Sequence, residues 1–226
     1  MVKQINSKSI FSVHPSAFLL FVQIASLFLY AGFEGIPSGR AMIGIAGVLV
    51  LLLAVWVVNR SPSANWIAWT LAILVFILSL LSELVESNSM LIVASIIEAV
   101  LYFYTAGSLI AYMMEDSNVT TDEMFAAAAT FTVLAWGFAY LYLACQTLFP
   151  DSFITANLNQ PQTFLELLFL SFANLSATGL SDILPVTSPA RVLVMLEQFA
   201  GVAYITVVVS RLVGLTILRR GNKSSR

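Results

Sequence analysis

QPQTFLELLFLSFANLSATGLSDILPVTSPARVLVMLEQFAG, residues 160–201, is the stretch whose reading decides the fold. Pro161 suits a helix's first turn, because the N–H it lacks has no intrahelical partner there. About four apolar turns follow, and the run stops at Thr178-Gly179. Such a helix is too short to cross a hydrocarbon core about 30 Å thick. A helix that enters the membrane and returns leaves irregular backbone at depth, tolerated only where protein buries it or where it lines a water-filled cavity. The segment therefore predicts a re-entrant pore helix and loop.

Outward from it lie unbroken apolar runs at residues 16–32, 41–58, 66–82, 90–114, 124–149 and 188–217. Of 226 residues 59% are apolar and 10% charged, with a mean hydropathy of +0.92. A soluble domain carries about 25% charged residues, so this composition is that of a membrane protein. Six transmembrane helices are expected, with the long connection 150–187 before the last. The first run lacks a small-residue cleavage pattern and is expected to stay in the mature chain. Lys3, Lys8, Arg60, Arg219, Arg220, Lys223 and Arg226 then share one side, leaving Arg40 and Arg191 opposite, which puts both termini in the cytoplasm. The net charge is −2 and the ten cationic residues are scattered, so no nucleic-acid partner is expected. One cysteine, Cys145, and one histidine, His14, exclude disulfide frameworks and Cys/His metal sites.

The residues SFANLSATGLSDILPVTSPARVLVMLEQFAG, 171–201, resemble the pore module of the potassium channel family, in which a pore helix runs into TVGYGD and then a tilted inner helix. Gly179, Asp182 and Pro185 fix the register. Ala177, Thr178, Gly179, Leu180 and Ser181 then stand where the family has Thr, Val, Gly, Tyr and Gly, so one filter position in five is retained. Arg191 falls at the family's basic position, and Gly201 at that of the inner-helix hinge glycine. The resemblance covers residues 124–217 and implies a tetrameric channel with Ala177 to Asp182 around its axis.

The departures from the family pattern have physical consequences. Glycines supply positive φ cheaply in a filter lined by backbone carbonyls, so Ser181 is expected to be strained by roughly 1–2 kcal/mol. Leu180 lacks the phenol that, by resemblance, braces the filter. Ala177 removes a hydroxyl at the innermost ion position, and Thr178 places one in the packing behind the loop. Weakened potassium selectivity follows. The fourth run, MLIVASIIEAVLYFYTAGSLIAYMM, holds no Arg or Lys, whereas a voltage sensor needs several, each contributing about 2.3 kcal/mol per 100 mV.

Other polar residues divide into candidates and structural roles. Asp182 would form a ring of four carboxylates at the outer mouth. Val207, Val208 and Val209 would form an apolar gate closing by dewetting. Arg211, near the inner end of the last helix, is expected to snorkel. Glu197 reads as a packing residue and Glu166 as an N-terminal dipole partner. Glu98 is the isolated intramembrane acid. It shares a helical stripe with Ser95, Tyr102, Thr105 and Tyr112, and Gln23, Ser26 and Tyr30 repeat the pattern in the first run. These stripes should face each other or a polar crevice, chiefly to make interhelical hydrogen bonds. Thr120 and Glu123 read as a capping box, with Asp122 in the first turn of the same helix. His14 reads as an interfacial residue, and Ala126 to Ala129 as a close-packing tract.

The expected organisation is an all-α polytopic membrane protein of six transmembrane helices, with a re-entrant pore helix and filter loop between the fifth and sixth. Residues 1–15 would be a cytoplasmic segment, and 16–114 a four-helix peripheral domain without voltage-sensor arginines. The pore domain would span 124–217: outer helix 124–149, pore helix 161–176, filter 177–182 and inner helix 188–217. Residues 218–226 would be a short basic cytoplasmic tail, with no cytoplasmic ligand-binding domain. One pore loop per chain cannot enclose an axis, so a homotetramer in lipid of the cell membrane is implied. The function expected is passive conduction of a monovalent cation, potassium or sodium, with no enzymatic activity, cofactor or metal. The alternatives are a non-conducting regulatory or scaffold subunit, separated by liposome flux, and a secondary transporter. A second interrupted segment that would favour the transporter is not found in the first half.

Overall fold

The computed structural model describes residues 15–33, 87–115, 120–155 and 160–211, with isolated helical residues between 70 and 78 and between 213 and 217. The expected run 41–58 and His14 lie outside the described residues, as do nearly all of 66–82, the amino-terminal segment before Pro15 and the tail 218–226. The described residues are mostly helical. Helix α1 spans Pro15–Phe33, α2 Asn88–Met114, α3 Thr121–Leu148, α4 Phe164–Leu175 and α5 Ser188–Tyr204, which continues as a π-helical stretch Ile205–Val209. Two-residue strands β1, Phe153–Ile154, and β2, Leu184–Pro185, pair antiparallel. Among the described residues α1, α2, α3 and α5 with its continuation are long and apolar enough to cross a membrane.

Local chemistry sets the helix starts. Glu123 N–H donates to the Thr120 hydroxyl at 3.2 Å, while the Glu123 carboxylate meets that hydroxyl at 3.3 Å. The expected capping box is thus formed in its forward half. Asp122 does more than sit in its own first turn. Its Oδ1 accepts from Ser16 N–H at 3.2 Å and its Oδ2 from the Ser16 hydroxyl at 2.9 Å, with the Tyr112 hydroxyl at 3.4 Å. A first-turn N–H of a helix has no intrahelical acceptor, so Asp122 caps α1 from a residue 106 positions away. Asp122→Ala is expected to cost about 1–2 kcal/mol, read as a lower melting temperature of the solubilised protein, with Asp122→Asn recovering part of it.

The opposite kind of terminus is also served from a distance. Arg211, expected to snorkel, instead donates through Nη1 to the Met113 carbonyl in the last turn of α2. Late carbonyls lack intrahelical donors and carry the negative end of the helix dipole, which favours a cation there. These two ties place the starts of α1 and α3 and the ends of α2 and α5 at one end of the molecule. Helix α1 therefore finishes, and α2 begins, at the other end.

Helix α3 is the central element, with Ala126 and Ala129 fully buried as the small-residue tract anticipates. The two polar stripes do turn inward: Gln23, Ser26, Tyr30, Ser95, Glu98, Tyr102 and Thr105 are all buried. Their partner is α3 as well as each other. The Thr132 hydroxyl donates to Gln23 Oε1 at 2.6 Å, and Tyr140 of α3 is buried alongside Glu98 and Tyr30. Ser26 and Thr105 bond back to carbonyls of their own helices, at 2.8 and 2.9 Å. Around these lies an aromatic cluster. Trp136 packs edge-on against Tyr30, with ring centres 5.6 Å apart, and lies 5.9 Å from Tyr102, which stacks on Tyr140 at 5.6 Å.

Candidate pore site

Helix α4 is held at its start by four separate devices. Thr163 and Glu166 form a full capping box: Glu166 N–H donates to the Thr163 hydroxyl at 3.3 Å and Thr163 N–H to Glu166 Oε2 at 2.6 Å. Glu166 thus serves its helix terminus, as expected. Pro161 lies outside the helix, which begins three residues later than Pro161 alone suggested because the T-x-x-E signature at 163–166 governs the start. Gln146 and Gln162 exchange two bonds, at 2.9 and 3.2 Å, tying the end of α3 to the approach to α4. Phe164 is enclosed by Tyr140, Tyr30 and Trp136, with ring centres 4.6, 5.5 and 5.9 Å away. Finally, β1 pairs with β2, and Ser152 accepts from Val186 N–H at 3.0 Å and meets the Thr187 hydroxyl at 2.9 Å. The chain therefore leaves for α4 and comes back at one place.

At its other end α4 stops at Leu175 in a Schellman arrangement. Ala177 N–H donates to Asn174 O at 3.0 Å, and the N–H groups of Thr178 and Gly179 both donate to Ala173 O at 3.1 Å. This requires a left-handed residue after the cap, and Ala177 takes it, with φ +57°. Gly179 follows at φ +64°. The strain expected at Ser181 is not found there. Ser181 has no positive φ, and its hydroxyl accepts from Ile183 N–H at 3.1 Å in a local turn. The backbone cost falls on Ala177, because the capping geometry, rather than the register of the filter, sets which residue is left-handed. Ala177→Gly is expected to raise stability by up to about 1 kcal/mol, measured as a higher unfolding midpoint. Thr178 is exposed rather than packed behind the loop, and its hydroxyl folds back to Ala173 O at 3.3 Å and Ser176 Oγ at 3.0 Å.

Ala177, Thr178, Gly179 and Leu180 are exposed on the protomer, Leu180 at 77%, as is Asp182. Ser181 is half-buried and Ile183 buried. A Cβ at Gly179 would meet nothing within 4 Å. Gly201 is different: a Cβ there would lie 2.1 Å from the Leu175 carbonyl oxygen. Its observed service is the close approach of α5 to the last turn of α4. The irregularity in the last helix begins four residues later, at Ile205. Within it Val208 is buried in its own protomer beside Tyr204, Met113 and Ala126, while Val207 and Val209 are exposed. The three valines expected to line a gate therefore do not share one surface.

Behind the loop lies a polar cluster. Glu197 is fully buried on α5, and its carboxyl group meets the Tyr142 hydroxyl of α3 through Oε2 and the Ser171 hydroxyl of α4 through Oε1. Ser171 Oγ also reaches the Ala135 carbonyl at 2.8 Å. Asn174 Nδ2 donates to the Tyr142 oxygen at 3.5 Å, and Gln198 Nε2 to Asn174 Oδ1 at 3.4 Å. Glu197 thus has the packing role anticipated, whereas Ser171, Asn174 and Tyr142 were missed. Their signal was present: Ser171 and Asn174 are polar residues three apart on an apolar helix, a spacing that puts both on one face. Arg191 lies apart from this cluster and donates through Nε to Pro185 O at 3.3 Å.

Residues 128–217 match a family model described as "Ion channel". The matched span contains most of α3, all of α4 and the whole of α5. With the apolar helices described above, which are long enough to cross a membrane, this makes the chain a membrane protein that is similar to ion channels over that span. The matched span runs helix, short helix, loop and helix. No curated protein and no solved structure matches the chain.

Proposed function

We propose that this chain is the pore-forming subunit of a potassium-channel-like cation channel, a homotetramer in the cell membrane with α4 as a re-entrant pore helix. The carrying observation is the loop Ala177–Leu180. It is anchored at its root by the cap on α4 yet exposed on the protomer, as a loop that meets its copies around an axis would be. The return of the chain to β2 beside β1 supports a dip into the bilayer and back. An exposed apolar surface on α5, with Phe199 at 75% exposure together with Met195, Leu196 and Val202, supports burial against lipid or neighbouring subunits. The matching directions at the end of α1 and the start of α2 suit two further crossings between them, six in all, with both termini cytoplasmic.

In this reading Asp182 supplies four carboxylates that concentrate cations at the outer mouth. Filter positions occupied by Leu180 and Ser181 weaken discrimination between potassium and sodium, and the arginine-free α2 leaves gating without a charged voltage sensor. Purified protein in planar bilayers is expected to pass monovalent cations with a modest preference for potassium, set by reversal potentials in opposed potassium and sodium gradients. Strict potassium selectivity would remove the weakened filter. Absence of any conductance from a verified tetramer would leave the regulatory subunit as the function.

A further inference from the structure

The cluster behind the loop contains more hydrogen-bonded contacts than its hydroxyl groups have hydrogens. Three oxygen-to-oxygen contacts run in series: Ala135 O to Ser171 Oγ, Ser171 Oγ to Glu197 Oε1, and Glu197 Oε2 to Tyr142 Oη. Each needs one hydrogen. Serine and tyrosine bring one apiece, and the Ala135 carbonyl brings none. Ala135 O can only accept, so a Ser171 hydrogen directed to it leaves none for Glu197 Oε1, while the Tyr142 hydrogen serves Glu197 Oε2. The Asn174 amide, 3.5 Å from the Tyr142 oxygen, points a donor at that hydroxyl and so leaves it donating onward. The Ser171–Glu197 contact is left to be filled from the carboxyl group itself.

We propose that Glu197 is held as a neutral carboxylic acid whose hydrogen is donated to Ser171, closing a three-helix clasp of α3, α4 and α5. The groups facing it agree. From α3 it meets Tyr142, and from α4 Ser171 with Asn174 beside it, all uncharged; no cationic side chain among the described residues is in contact with it. A carboxylate enclosed this way would be a buried unpaired charge, whereas the acid is a donor at one oxygen and an acceptor at the other. The clasp grips α4 at Ser171, within one turn of Ala173, whose carbonyl roots the loop. On the channel reading, Glu197 is therefore a positioning residue for the loop.

Two measurements on the full-length protein in lipid test the clasp without reference to conduction. The infrared difference spectrum between wild type and Glu197→Gln in deuterated buffer is expected to lose a protonated-carboxyl band, and Ser171→Ala is expected to shift that band. Loss of carboxylate bands alone overturns the proposal. Glutamine offers an amide donor group at one position and a carbonyl acceptor at the other in nearly the same shape, so Glu197→Gln should keep wild-type thermal stability where Glu197→Ala does not. A Glu197→Gln protein that is as unstable as Glu197→Ala, or fails to fold, likewise overturns it. A third measurement addresses the loop: Ser171→Ala should change the potassium-to-sodium preference several-fold while Glu197→Gln preserves it, and an unchanged Ser171→Ala preference overturns the positioning role. A wild-type protein without current rejects the channel reading alone, and leaves the first two measurements decisive for the clasp.

Discussion

Gly201→Ala is expected to prevent normal assembly of the protein. A Cβ at this position would stand 2.1 Å from the Leu175 carbonyl oxygen, 2.8 Å from its carbon and 3.0 Å from its Cα. All three are backbone atoms, at the capped end of α4, and cannot swing aside as a side-chain tip could. Relief requires α5 and α4 to separate, which would also pull Glu197 on α5 away from Ser171 on α4. Overpacking usually costs about 1–3 kcal/mol, and the rigidity of this neighbour places the effect at about 3 kcal/mol or beyond. Thermal unfolding and size-exclusion profiles of the solubilised protein measure it. A variant of normal stability, altered only in gating, would show that Gly201 serves as a bend and that the close approach is incidental.

Trp136→Ala is the second large expectation. The indole is fully buried and touches rings from α1, α2 and α4 through Tyr30, Tyr102 and Phe164. Lipid is as apolar as a protein core, so transfer from water adds little here, and the loss is one of dispersion contacts and an unfilled cavity. This sets the cost near the low end of the range for such truncations, about 3 kcal/mol. Trp136 Nε1 has no hydrogen-bond partner, so Trp136→Phe loses only part of the ring surface and should retain most of the stability. A melting series over tryptophan, phenylalanine and alanine tests the ordering. Equal loss in phenylalanine and alanine variants would show that the indole nitrogen matters through a contact of its own.

What could be seen in the sequence was governed by local chemistry. The long apolar runs, the forward cap at Thr120, the inward stripe of Glu98 and Tyr102, and the short helix before Gly179 all depend on neighbours within a few turns. Three features depend on residues far apart and could not be read this way. Asp122 finds Ser16 across 106 positions, Arg211 finds Met113 across 98, and Glu197 finds Tyr142 across 55. Each looked locally sufficient, as a first-turn acid, a snorkelling cation or a packing residue of the last helix. The left-handed residue was misplaced for another reason. Analogy assigned it to Ser181, a lost glycine, while the cap on α4 imposes it on Ala177.

The π-helical stretch Ile205–Val209 inserts one residue more than α-helical winding would hold. One residue amounts to about 100° of rotation about the helix axis. Ser210 and Arg211 are therefore turned by that angle relative to the portion of α5 that lies against α4. Arg211, which bonds the Met113 carbonyl, lies just past this offset, and excising one residue from the stretch is expected to swing the guanidinium around the helix and away from α2. The two halves of this helix are thus aimed independently, the upper by its contact with α4 and the lower by its tether to α2.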